Sequence, residues 1–79
     1  MSTKPNQSRA YAPVPPFLRA MREDAQLTQR QLAAKIKKPQ WWVARIETGS
    51  RRVDVAEFIV FCEGCGTDPA KALNQLRRM

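Results

Sequence analysis

Three short signals cut this chain into segments that suit only small helices. Thr28-x-x-Gln31 and Asp54-x-x-Glu57 each place a side chain that can accept from a backbone N–H three residues before one that can return the bond. That reciprocal arrangement marks a helix start. Asp68-Pro69 marks another, a capping carboxylate ahead of a proline at the first helical position. Pro16 and Pro39 suit the opening of two more helices, and Gly49, Gly64 and Gly66 supply stops.

Between these marks the apolar residues recur at helical spacing. Leu18, Met21 and Ala25 form a first stripe, and Leu32, Ala33 and Ile36 a second. Trp42, Val43 and Ile46 follow, then Val55, Phe58, Ile59 and Cys62 with Phe61 widening the face, then Leu73 and Leu76. No alternating strand pattern with a hairpin turn occurs. The expectation is an all-α fold, five short helices around one core, in residues 16–79. Residues 1–15 are polar and proline-rich without periodicity, and they read as a disordered arm.

Charge narrows the function. Fourteen Lys and Arg oppose seven Asp and Glu, a net +7, which points to a polyanion, either nucleic acid or an anionic membrane face. No apolar run approaches the roughly 18 to 20 residues that a bilayer span needs, and the N-terminus lacks the pattern of a signal peptide. A cytoplasmic protein with no membrane role is expected. Cys62 and Cys65 form a C-x-x-C, but the chain has no histidine and no second cysteine pair, so a zinc site would lack ligands. They read as small buried residues. No nucleophile–base constellation occurs, so neither a cofactor nor an enzyme is expected.

The second and third helices are separated by too few residues for a wide loop, which makes LTQRQLAAKIKKPQWWVARIE a candidate helix-turn-helix. Ala33 supports it, being small where the two helices cross. Each helical step turns about 100°, so Trp41 and Trp42 cannot share a face. With Trp42, Val43 and Ile46 inward, Trp41, Ala44 and Thr48 face out, flanked by Gln40 and Arg45. Trp41 there would meet thymine methyls or sugar, and Gln40 would pair with adenine. An exposed indole equally fits a protein-contact hot spot. Between residues 30 and 52 lie Arg30, Lys35, Lys37, Lys38, Arg45, Arg51 and Arg52, seven of the fourteen cations, against the single acid Glu47. Lys37, Lys38, Arg51 and Arg52 sit in the two loops flanking helix three, where phosphates should lie.

LTQRQLAAKI…QWWVARIETGSRR, continued by RRVDVAEFIVFCEGCGTDPAKAL, resembles the helix-turn-helix domain of phage repressors and Cro, the XRE family, over about residues 17 to 76. The resemblance implies a lambda-repressor-like five-helix bundle that binds double-stranded DNA as a sequence-specific regulator of transcription. It implies a phosphate contact for Gln29 and a base contact for Gln40; the helix wheel adds Trp41, Ala44 and Arg45 as base contacts, Arg45 ranked below Gln40, and Thr48 as a phosphate contact. Arg22 and Glu47 occupy positions that the family pairs. Lys37 departs from the family, which usually has glycine at that turn. A lone domain makes few base contacts, so a homodimer on a two-fold site is expected. The other open reading is an antitoxin- or coactivator-like adaptor that binds a protein partner.

Overall fold

The computed structural model describes residues 8–79; residues 1–7 of the expected arm lie outside them. Among the described residues there are five helices and no strands: α1 (Val14–Asp24), α2 (Gln29–Ile36), α3 (Gln40–Thr48), α4 (Val55–Gly64) and α5 (Pro69–Arg77). Helix α3 lies against α1 and α2, while α4 packs on α1, α2 and α5. Leu18, Leu32, Val43, Ile46 and Phe61 are wholly excluded from solvent at the centre.

The capping signals act as their chemistry requires. Thr28 Oγ1 accepts from Gln31 N at 3.0 Å, and Gln31 Oε1 accepts from Thr28 N at 2.9 Å. Asp54 and Glu57 exchange the same pair of bonds at 2.7 and 2.9 Å. Asp68 Oδ1 accepts from Ala70 N.

Four details differ from the sequence expectation. Helix α1 opens at Val14, ahead of Pro16, because the first N–H groups of a helix have no partner within it. Pro15 and Pro16 therefore cost it nothing there. Residues 8–15 are not a loose arm: they turn back on the domain and bury Tyr11 and Pro15. Gly64 is the last residue of α4 and not merely a stop. A Cβ at Gly64 would lie 2.5 Å from Ile36 Cγ2 and 2.8 Å from Leu32 Cδ1, so its bareness lets α4 approach α2. Finally, Val55, Ile59 and Leu73 are exposed. The inward face of α4 is Phe58, Phe61 and Cys62, and α5 docks through the small Ala72. Close docking on an alanine turns its neighbour Leu73 away.

Candidate nucleic-acid interface

The turn between α2 and α3 is held by a residue in a conformation that L-amino acids avoid. Lys37 sits at φ 59°, ψ 44°, left-handed, and caps α2. Lys38 N then reaches back to Ala33 O at 2.9 Å. Such a conformation costs a residue with a Cβ about 1 kcal/mol. The family-like glycine position is thus occupied by lysine in the glycine geometry, and both lysines stay exposed. Pro39, extended at ψ 152°, leads into α3, and Gly49 at φ 83° ends it.

Behind α3 lies a buried polar knot. Arg22 Nε and Nη2 donate to the two carboxylate oxygens of Glu47 at 2.6 and 3.0 Å, and Arg22 Nη1 donates to Leu27 O at 2.7 Å. Gln29 Nε2 donates to Glu47 Oε1 at 3.0 Å. The Glu47 side chain is 2% exposed. The hydrogen bond that Arg22 donates to Glu47, more than the carboxylate's charge, holds the Arg22 pKa above its ordinary value against the opposing effect of burial. One carboxylate therefore ties α3 to both α1 and the start of α2. Gln29, expected to face phosphate, has committed one of its two amide hydrogens inside the protein.

The outer face of α3 is different in kind. Trp41 is 53% exposed, with the Arg45 guanidinium 5.0 Å from its ring centre. Gln40, Arg45 and Thr48 are exposed, and Ala44 is half-buried. Thr48 Oγ1 donates to Arg45 O at 3.1 Å, closing the last turn. Trp42, one residue on, is 2% exposed. Lys38 Nζ lies 5.2 Å and the Arg51 guanidinium 5.8 Å from its ring.

The basic loop after α3 is more tightly engaged than its composition foretold. Arg51 Nη2 donates to Glu57 Oε2 at 2.7 Å, so the glutamate that caps α4 also holds the loop. The Arg52 guanidinium stacks 4.5 Å from the Tyr11 ring and donates to Ser8 Oγ at 3.2 Å. Tyr11 OH accepts from Val53 N at 3.0 Å. Tyr11 and Ser8 were missed in the sequence. The chain's one tyrosine, set in an otherwise polar and proline-rich segment, was the available signal. Both cations thus carry protein partners and are not simply poised for phosphate.

Cys62 and Cys65 are free, and burial lifts both thiols to about 11. Among the described residues no group of three or more His, Cys, Asp or Glu side chains is placed to hold a metal, and no helix is long and apolar enough to cross a membrane.

Two helices crossing at a tight turn, the second with a polar and cationic outer face, define a helix-turn-helix domain. The family model for that domain matches residues 17–74. A solved XRE-family like protein from Pseudomonas syringae pv. tomato is 41% identical over 86% of this chain and 87% of its own, with a TM-score of 0.76. The chain belongs to the XRE-type helix-turn-helix family of DNA-binding transcription regulators. The fold is also that of the restriction–modification controller protein C.Esp1396I (20% identity, 90% and 92% covered, TM-score 0.81). The clp gene regulator ClgR from C. glutamicum shares it too (21% identity, 89% and 91% covered, TM-score 0.77). No curated protein matches by sequence.

Proposed function

We propose that this protein is a sequence-specific, double-stranded DNA-binding regulator in which α3 enters the major groove. The observation that carries the reading is the outer face of α3. Gln40, Trp41, Ala44 and Arg45 stand free of the core on a helix that Glu47 fixes from behind. Arg45, held against an indole, presents a planar fork suited to guanine, and Gln40 suits adenine. The second amide hydrogen of Gln29 remains for a phosphate oxygen, as do the Lys37 and Lys38 ammonium groups. Thr48, Arg51 and Arg52 complete the flank, the two arginines by exchanging protein contacts for phosphate.

The protein acts as a homodimer in this reading. Val55 and Leu73 are 78% and 57% exposed and line one groove with Phe58 and Leu76. Such a surface suits a second copy, with half-sites about 34 Å apart. Selection of bound duplexes from a random pool tests both statements: it should return a short motif repeated with two-fold symmetry. A pool no different from its input sinks sequence reading. The exposed Trp41 supports a second reading, an adaptor docking a protein partner through the same face. Salt separates the two. With about four phosphate contacts, log K falls with log salt at a slope near −3.6, whereas partner docking through an indole resists salt.

A further inference from the structure

The indole of Trp42 is almost wholly buried, yet among the described residues its Nε1 has no hydrogen-bond partner, and neither has the buried Nε of Arg51 beside it. Both groups are donors only. Lys38, a third donor without acceptor capacity, lies against the same ring. The carboxylate that pairs with Arg51, Glu57, is already occupied by Arg51 Nη2 and the Asp54 N–H. Buried polar groups are normally satisfied, so a cluster made only of donors lacks an oxygen-rich anion. The start of α3 adds to the deficit. Pro39 provides no side-chain cap, so the N–H groups of Gln40 and Trp41 open the helix uncapped, with the positive end of its dipole at this corner.

We propose that Trp42 Nε1, Lys38 and Arg51 form a seat for one DNA phosphate at the entry of α3. The indole N–H donates to a non-bridging oxygen, and the two cations, on flexible stems, part to admit the anion and then close on it. Trp42 therefore has two duties, core residue by its ring and phosphate ligand by its nitrogen. The inference rests on the DNA-binding reading and adds a contact from a residue whose burial argues against one.

The test uses Trp42→Phe, which keeps an aromatic ring and removes the donor. Binding to a short random-sequence duplex at low salt should weaken about tenfold, the worth of a hydrogen bond to a charged acceptor. The salt slope should not change, because a neutral donor releases no counterion, whereas Lys38→Gln should flatten it by about 0.9. Trp42→Phe binding within twofold of the parent protein overturns the seat. A second measurement needs no variant: titration of the parent protein with inorganic phosphate, following the two indole N–H resonances by NMR. The Trp42 signal should move and saturate while that of Trp41 stays. If the parent protein fails to bind duplex, the DNA reading falls and this titration alone decides the seat: a static Trp42 signal ends it too.

Discussion

The two halves of this small bundle leave opposite things unfinished. In the α2–α3 half every apolar residue of α3 except Trp41 and Ala44 is inside, a buried carboxylate is fully partnered, and the exposed groups are mainly amides and cations. In the α4–α5 half the polar caps are complete, but Val55, Ile59, Val60 and Leu73 stand in solvent. One half offers hydrogen-bond donors and positive charge, and the other offers oil. Burial of that oil is worth roughly 25 cal/mol per Å², and a phosphate surface cannot supply it. The contrast teaches that a chain of this size presents two unlike surfaces by splitting them between its helix pairs.

Substitutions sharpen the contrast in order of size. Glu47→Ala leaves Arg22 charged and buried without its partner, and should cost about 3 to 5 kcal/mol in urea unfolding. A loss under 1 kcal/mol would show that the knot is incidental. Gly64→Ala forces α4 off Leu32 and Ile36 and should cost about 1 to 3 kcal/mol, with an unfolding curve that stays a single transition. Separate melting of the halves in this variant would break the picture of one shared core. The pair Val55→Lys and Leu73→Lys should change single-chain stability by less than about 0.5 kcal/mol, yet lower the apparent mass by sedimentation to that of one chain. Unaltered self-association would place the second copy elsewhere. Lys37→Gly is the gentlest: relief of the left-handed strain, of about 1 kcal/mol, is largely offset by the flexibility of glycine. A gain no larger than about 0.5 kcal/mol should appear in thermal unfolding.

What could be read from the sequence follows from how local each cause is. The caps at Thr28, Asp54 and Asp68 need only residues two or three apart, and they form as written. The left-handed geometry at Lys37 followed from the resemblance to a family with glycine at that turn, and the lysine adopts it. Which apolar residue of an adjacent pair faces inward depends on a neighbouring helix, so Leu73 and Ala72 could not be ranked. Long-range partners were hidden for the same reason. Nothing near Arg51 in the chain announces Glu57 as its ion-pair mate, and nothing near Arg52 announces Tyr11. The face of α3 was legible from the helix wheel, since Trp41 and Trp42 must part company. The unmet donor on Trp42 was not, because it depends on what surrounds the ring.

The single carboxylate of Glu47 secures α3 from the rear, and its hydrogen bonds go to Arg22 and Gln29 rather than to any of the four outward positions. Replacement of Gln40, Trp41, Ala44 and Arg45 therefore leaves the mount undisturbed. In the proposed reading the domain is therefore a chassis with an exchangeable reading head, whose preference could drift through mutation, or be redirected by design, without the fold being renegotiated each time.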